Sequence, residues 1–170
     1  YKGTISRVEP SLEAAFINFG RTRHGFLPFK EISSEIFSHT NKSSRDCLQT
    51  GKEIIVQVDK EERGNKGAAL TTYLSLAGRY CVLMPNTPRG GGVSRKIISP
   101  ADRKRLKNVV EGLNLPDGMA AIVRTAGSER TKTEIKRDYE YLIRLWDQIR
   151  ESTLVSTAPY LVHEEANLIK

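Results

Sequence analysis

Cysteine is scarce in this sequence. The two that occur, Cys47 and Cys81, are far apart and form no C-x-x-C pair. This pattern excludes a disulfide framework and a cysteine-based zinc site, and it is typical of a protein from a reducing compartment. The three histidines, His24, His39 and His163, likewise have no sequence partner at the spacing of a metal site or of a nucleophile–base pair.

Long apolar runs are absent too. No stretch approaches the roughly 20 apolar residues that a membrane-spanning helix needs, and the opening Tyr1–Ile5 lacks the apolar segment of a secretory signal. The acidic residues are scattered, without a D-x-D or similar cluster after an apolar strand. We therefore expect no catalytic residue, metal ligand or cofactor within these residues. Because the chain begins at Tyr1 rather than Met, we interpret it as part of a longer protein.

Positive charge is abundant. The 170 residues carry 27 Lys and Arg against 20 Asp and Glu, a net charge of +7, and 38% of them are hydrophobic. That content is enough for the core of one ordinary domain or two small ones. Within Arg89–Lys107, seven basic residues accompany a single acid, Asp102. Such a region attracts polyanions; the alternative is that its last four basic residues form a solvated helix face.

The first 76 residues have the pattern of short strands separated by turn signals. The predicted strands are Lys2–Val8 (with an irregularity, since Ile5 and Val8 are three apart), Ala14–Phe19, Gly25–Phe29, Glu53–Asp59 and Ala68–Leu76. With one polar insert, Glu35–Thr50, these five strands predict a small OB-type barrel. A β-sandwich is the alternative, although it usually needs more strands.

Residues 77–170 predict a smaller mixed α/β region. Ser99 and Pro100 are suited to the cap and first position of a helix, and Met119–Val123 reads as an apolar strand. A longer helix is predicted from Glu129 to Glu151. Its apolar stripe comprises Ile135, Tyr139, Leu142, Ile143, Trp146 and Ile149, which we expect to face the core.

Strand alternation identifies two candidate contact residues. If Ile17 and Leu27 face the core, then Phe16 and Phe26 project to the opposite side of their strands. Outward aromatic side chains on an OB barrel stack on unpaired bases. The alternative is that a neighbouring segment covers both rings.

Basic residues border this predicted surface. Lys2 lies in the first strand, and the loop Lys60–Gly67 joins the last two strands, where OB folds hold oligonucleotides. Its glycines allow the backbone to approach a phosphate, and Lys60 and Lys66 supply charge.

Several segments together resemble the ribonuclease E/G family, nearer to its E branch. They are Tyr1–Gly3, Glu9–Phe16, Arg23–Pro28, Asp59–Thr72, Leu83–Asn86, Gly91–Ile97 and Ile122–Gly127. The resemblance covers essentially the whole chain. It implies an S1-like OB domain at residues 1–76, which binds single-stranded RNA, and a 5′-sensor region at residues 77–170.

The resemblance also implies which residues bind RNA. Phe16, Phe26 and Lys66 would contact RNA near the site of cleavage. Lys60 and Lys2 are added as candidate RNA-binding residues because they border the same predicted surface. A pocket for the 5′-monophosphate would be built by Gly78, Val82, Arg124 and Thr125. From the residues alone, Arg124 would otherwise be taken as an ordinary surface arginine after a strand.

For the parent protein, the resemblance implies a single-strand-specific endoribonuclease acting in RNA decay and processing. It would use Mg²⁺ and a structural Zn²⁺, bound by aspartates and cysteines beyond Lys170. It would be a bacterial cytoplasmic homo-oligomer that binds 5′-monophosphorylated RNA, with degradosome proteins as candidate partners and an association with the inner membrane. The alternative is a non-catalytic OB-fold module that binds RNA or docks to a ribosome or degradosome.

Overall fold

The computed structural model describes residues 1–33, 48–87 and 91–165. Most of the predicted insert Glu35–Thr50, together with Arg89, lies outside the described residues. The chain forms two compact units, one of residues 1–73 with 149–170 and one of residues 74–148. The predicted domains, 1–76 and 77–170, assign residues 149–170 to the second domain, whereas the structure groups them with the first unit. These residues join the first unit because Lys2 and Tyr160 exchange backbone hydrogen bonds of 2.8 and 2.9 Å.

The first unit is built on one curled sheet. Its strands are β1 (Lys2–Glu9), β2 (Ala14–Asn18), β3 (Gly25–Pro28), β4 (Glu53–Ile55), β5 (Gln57–Lys60) and β6 (Ala69–Thr71). They are ordered β4-β1-β2-β3-β6-β5. The two edge strands, β4 and β5, are separated in sequence by Val56 alone. Because they are consecutive in the chain, the sheet must curl so that its two edges lie close together. This mainly β, S1-like arrangement confirms the predicted fold class.

Two of the predicted strands differ from the structure. The predicted strand Glu53–Asp59 is interrupted at Val56, whose side chain is buried and whose N–H donates to the carbonyl of Tyr1 at 2.9 Å. The strand predicted at Ala68–Leu76 is present but shorter: β6 ends at Thr71, because Thr72 donates both its N–H and its hydroxyl to the carbonyl of Glu31. The predicted irregularity in β1 is confirmed as a register shift between Ile5 and Arg7.

The core of the first unit contains the apolar residues that alternation placed inside. Its fully buried members include Ile5, Ala15, Ile17, Phe19, Leu27, Val56, Ala68 and Leu70. Ala14 is also buried, although alternation grouped it with the outward Phe16. Gly25 fits only because it lacks a side chain, since a Cβ there would come within 2.7 Å of the Leu70 Cγ atom.

The second unit combines a small sheet with helices. Its strands are β7 (Leu76–Ala77), β8 (Cys81–Met84), β9 (Gly92–Val93) and β10 (Ala120–Val123), in the order β7-β8-β10-β9. Helix α1 (Pro100–Glu111) begins as predicted, with the Ser99 hydroxyl accepting the N–H of Asp102 at 3.4 Å. Leu106 and Val109 of α1 pack on Val123, so the helix covers this sheet.

The long helix α2 (Lys132–Val155) begins three residues after the predicted start. Thr131 accounts for the difference, because its hydroxyl accepts the N–H of Glu134 at 3.2 Å and lies 3.3 Å from the Glu134 carboxylate. The T-x-x-E pattern that marks such a helix start is visible in the sequence. The predicted apolar stripe is buried, except that Ile143 is half-buried. Among the described residues, no helix has the length and apolar character to cross a membrane.

Candidate nucleic-acid interface

One row of register partners crosses the sheet of the first unit. Arg7 on β1 lies opposite Phe16 on β2, and Phe16 lies opposite Phe26 on β3. Phe26 pairs with Ala69 on β6, which pairs with Lys60 on β5. Residues directly opposite one another project to the same face of a sheet. The row therefore places two aromatic rings between an arginine and a lysine.

The two aromatic residues occupy the positions that alternation predicted. Their ring centroids are 5.9 Å apart, with an interplanar angle of 65°, an edge-to-face arrangement. Both side chains are partly exposed, whereas the next residues along each strand, Ile17 and Leu27, are fully buried. The outward direction of Phe16 and Phe26 is thus confirmed. Their contact with RNA stays a prediction.

The loop Lys60–Gly67 lies beside Phe26. Arg63 and Lys66 exchange backbone hydrogen bonds of 3.2 and 2.9 Å around a turn in which Gly64 has a φ of +55°. A Cβ on Gly67 would clash with the carbonyl oxygen of His24, so glycine is required there. Immediately after the loop, the carbonyl of Ala68 accepts the N–H of Phe26 at 2.8 Å. The loop is therefore fixed at the strand that carries one of the two rings.

Two arginines from the turn before β3 hold the same loop. Arg21 forms a bidentate pair with Glu61, at 2.6 and 3.4 Å, and Arg23 donates to the carbonyl of Gly64. The Glu61 contact raises the pKa of the Arg21 guanidinium, and the Arg21 hydrogen bond lowers the pKa of the Glu61 carboxyl. Lys60 and Lys66 remain exposed. The loop thus carries its two lysines on an anchored backbone.

Lys2 lies apart from the row. Its ammonium donates to the carbonyls of Thr153 and Ser156, at 2.9 and 2.8 Å, and pairs with Glu53 at 2.8 Å. The side chain is only 13% exposed. A cation at this position satisfies carbonyls at the end of α2. Lys2 accordingly holds the C-terminal segment against β1, and we leave it out of the candidate surface.

In the second unit, three of the four predicted sensor residues come together. Arg124 donates from Nη1 to the carbonyl of Gly78 at 2.6 Å, and its N–H donates to the carbonyl of Tyr80 at 2.7 Å. Thr125 follows directly and begins a short helical turn. Arg124 and Thr125 are both exposed. Val82 is partly exposed on β8, opposite Ile122 of β10, and thus lies one strand from this group.

Asp138 on α2 determines the shape of the segment that contains Gly78. Its carboxylate accepts the N–H groups of Arg79, Tyr80 and Cys81, each at 3.0 Å. A Cβ on Gly78 would lie 2.6 Å from the Asp138 Oδ1 atom, so glycine permits this approach. A carboxylate that accepts three backbone donors is a strong anchor. Asp138 therefore fixes the turn whose Gly78 carbonyl orients Arg124.

Neither Asp138 nor Arg7 was among the predicted site residues. For Asp138 the sequence did hold a signal, because it lies three residues after Ile135 and four before Leu142, on the buried stripe of α2. For Arg7 the position depends on the register shift in β1, which spacing alone does not locate. The Asp138 contact also matters for Cys81, because burial, followed by the hydrogen bond to this carboxylate, raises the pKa of the thiol.

The arrangement offers contacts rather than metal chemistry. Among the residues that the structure describes, no three His, Cys, Asp or Glu side chains gather in a way that could hold a metal ion. A magnesium-assisted hydrolysis needs carboxylates that converge near the scissile phosphate. The described side chains do not fit Mg²⁺ or Zn²⁺, and we derive no hydrolytic step from them.

Comparison with known families agrees with both parts of the molecule. Residues 1–72 match the S1 RNA binding domain. Residues 75–170 match the Ribonuclease E/G family, and this region is more than half of the chain. The chain belongs to the Ribonuclease E/G family. The predicted family resemblance is thereby confirmed.

Individual relatives refine this assignment. The chain is 51% identical to Ribonuclease E of Escherichia coli (strain K12) in an alignment of 174 positions, which covers 99% of this chain and 16% of that protein. It is also 51% identical to Ribonuclease E of Haemophilus influenzae, of which it covers 18%, and 37% identical to Ribonuclease G of that organism. These two ribonuclease E relatives are more similar to the chain than this ribonuclease G is. The chain spans less than a fifth of the two ribonuclease E relatives.

Proposed function

We propose that this chain is the RNA-recognition part of an endoribonuclease and that its first unit binds single-stranded RNA. The observation that carries the proposal is the row Arg7–Phe16–Phe26–Ala69–Lys60, with the anchored loop that presents Lys66. Aromatic side chains stack on unpaired bases of any identity, and lysines attract the backbone phosphates. Partly exposed rings between cations meet both requirements without a base-specific pocket.

The second unit senses the 5′ end of the RNA. Arg124 is held through one terminal nitrogen by Gly78, so its guanidinium is oriented while its remaining donors can meet a phosphate. A terminal monophosphate carries a charge of about −1.5 to −2 at pH 7, which rewards a planar fork of donors more than an internal diester does. Thr125 adds a hydroxyl and an N–H, and Val82 is partly exposed on the neighbouring strand β8. This is the reason to expect a preference for 5′-monophosphorylated RNA.

The parent protein cuts single-stranded RNA in decay and processing. Its Mg²⁺ and structural Zn²⁺ are bound by residues outside this chain. The parent is a bacterial cytoplasmic homo-oligomer, associated with the inner membrane and with degradosome proteins. These statements rest on the relationship to ribonuclease E. The complete reading frame tests them: a downstream aspartate pair and paired cysteines support the enzyme, and their absence favours a non-catalytic docking module.

Binding measurements test the proposal directly. The 170-residue chain is titrated with one fluorescent single-stranded RNA that bears a 5′-monophosphate, a 5′-triphosphate or a 5′-hydroxyl. We expect tightest binding of the monophosphate form and weaker binding of a duplex of the same sequence. Equal affinity for all three ends would reject end sensing but not the binding of single-stranded RNA. Absence of measurable binding to any single strand would reject RNA recognition.

A cleavage assay tests whether this chain recognises RNA without cutting it. We expect the chain to bind an AU-rich labelled single strand without cutting it, in millimolar magnesium or without it. The double variant Asp59→Asn/Glu62→Gln is the control, because these acids lie in or beside the loop near the proposed RNA path. Cleavage by the unaltered chain that the control loses would place an active site in that loop instead.

A further inference from the structure

Arg7 lies on the outer face of the sheet because β1 is irregular at Ser6. Ile5 is opposite Ile17, but the register then shifts, so that Arg7 faces Phe16 and Val8 faces Ala15. In a regular antiparallel pair Arg7 would have faced Ala15, which is fully buried. The extra residue of a β-bulge often redirects a side chain beside a functional site. Here the register shift turns Arg7 away from the core, so that its side chain lies beside the Phe16 ring.

Hydrogen bonds fix this bulge. The hydroxyl of Ser6 donates to the carbonyl of Phe16 at 3.1 Å and lies 2.8 Å from the Nδ1 atom of His24. Ser6 therefore connects β1 to the strand that carries Phe16 and to the turn before Phe26. The position of Arg7 is consequently part of the built sheet and does not depend on its side-chain rotamer alone.

The guanidinium of Arg7 lies 4.6 Å from the centroid of the Phe16 ring. Its Nε atom is 3.0 Å from a Glu9 carboxylate oxygen, and 61% of the side chain is exposed. No residue in 1–33, 48–87 or 91–165 accepts a hydrogen bond from its two terminal nitrogens. An exposed ion pair of this kind contributes little to the free energy of folding, so another anion can easily replace Glu9 as the partner of Arg7. The arginine thus combines a fixed position on an aromatic ring with available planar donors.

We propose that Arg7 binds a backbone phosphate of the RNA strand whose bases stack on Phe16 and Phe26. The inference rests on the proposed RNA-binding function of this face. Stacked bases need their phosphates neutralised at the edges of the platform. Lys60 does so at one end of the row, and Arg7 occupies the other end. An arginine pairs with a phosphate through two parallel N–H donors while its plane remains on the ring.

Three substitutions separate charge from packing. Arg7→Gln removes the charge, Arg7→Met keeps the packing on Phe16 without charge, and Arg7→Lys keeps charge without the fork. Arg144→Gln, at an exposed position on α2, is the control for net charge. We expect the Gln and Met variants to bind a uridine-rich single strand about tenfold more weakly. The slope of log affinity against log salt should fall by about 0.7. The Lys variant should lie between these and the unaltered chain.

Neutral methylphosphonate linkages, introduced one at a time, identify the phosphate. At one linkage the substitution should weaken binding by the unaltered chain but not by the Arg7→Gln variant. Unaltered affinity or salt slope for Arg7→Met, or additive losses at every linkage, would show that Arg7 only packs against the ring and would overturn the inference. Phe16→Ala separates the test of the Arg7 inference from the test of the proposed RNA-binding function. If Phe16→Ala weakens binding and the Arg7 variants do not, only the Arg7 inference fails. If neither changes binding, RNA recognition by this face fails.

Discussion

The two candidate contact regions are built by different means. In the first unit the contact side chains stand on neighbouring strands, and the backbone register of β1, β2 and β3 determines which of them are adjacent. In the second unit Gly78, Arg124 and Thr125 stand on turns, and the carboxylate of Asp138, which is distant in sequence, fixes the turn that contacts Arg124. A surface of the first kind tolerates the loss of a single side chain. A site of the second kind depends on one residue outside it.

The difference follows from where the backbone hydrogen bonds go. The strands satisfy each other's N–H and C=O groups, so no backbone hydrogen bond of the sheet depends on the side chains of Phe16 and Phe26. The turn of residues 78–81 leaves three N–H groups that no strand satisfies. Those of Tyr80 and Cys81 are partly buried, and a buried donor without a partner is destabilising. Substitutions of contact residues in the first unit should therefore change RNA affinity without changing stability. In the second unit, loss of Asp138 should change both.

The largest effect is expected for Asp138→Ala. It removes the acceptor of three N–H groups, so the free energy of unfolding should fall by about 3 kcal/mol, measured by urea denaturation. The preference for 5′-monophosphorylated RNA should disappear with it, because Gly78 no longer orients Arg124. The matched control is Glu140→Ala, an exposed neighbour on α2. Equal stability of the two variants would contradict the anchoring role.

Phe16→Ala and Phe26→Ala should each weaken RNA binding by about 1–3 kcal/mol through loss of stacking. Their denaturation midpoints should stay near that of the unaltered chain, since both side chains are partly exposed. The contrasting substitution is Gly25→Ala, whose Cβ would clash with Leu70 and should lower stability. Unfolding of the two Phe variants at markedly lower temperature would mean that the rings belong to the core.

Arg124→Ala should abolish the preference for a 5′-monophosphate over a 5′-hydroxyl, a loss of about 1.5 kcal/mol, while internal binding is spared. The ratio of the two dissociation constants measures this. Its charge-matched control is Arg144→Ala. A variant that keeps the full preference would place the end-binding pocket elsewhere, with the basic residues of Arg95–Lys107 as the next candidates.

The smallest effect concerns the ion pair between Arg21 and Glu61, which anchors the loop Lys60–Gly67. The Arg21 hydrogen bond lowers the pKa of Glu61 from 4.5, so the contribution of this pair is complete above that pH and is lost as the pH falls through the lowered value. Carbon-detected NMR titration of the Glu61 carboxyl should show this, and Arg21→Gln should return the pKa towards 4.5. An unchanged pKa in that variant would mean that the pair does not form in solution.

The same contrast explains how much the sequence could predict. Alternation depends only on neighbours in the chain, so the inward Ile17 and Leu27 and the outward Phe16 and Phe26 could be predicted. The helical stripe of α2 and the cap of α1 are local patterns of the same kind. The family resemblance supplied Arg124 and Gly78, since nothing in their immediate neighbourhood distinguishes them.

What could not be predicted depends on contacts between distant residues. The place of Lys2 is determined by Thr153 and Ser156, more than 150 positions away. The strands β7 and β9 are two residues long, too short for alternation to be visible. The role of Arg7 depends on a register shift whose location is fixed by Ser6 and its hydrogen bonds across two strands.

The central claim is that RNA lies across the outer face of the curled sheet, over the two aromatic rings. Amide and side-chain NMR signals of the isotope-labelled chain, followed during titration with a uridine-rich single strand, test it most directly. The account predicts that the largest shifts occur at Arg7, Phe16, Phe26, Lys60 and Lys66, and that Lys2 hardly moves. Saturable binding that leaves the signals of Phe16 and Phe26 unshifted would contradict it.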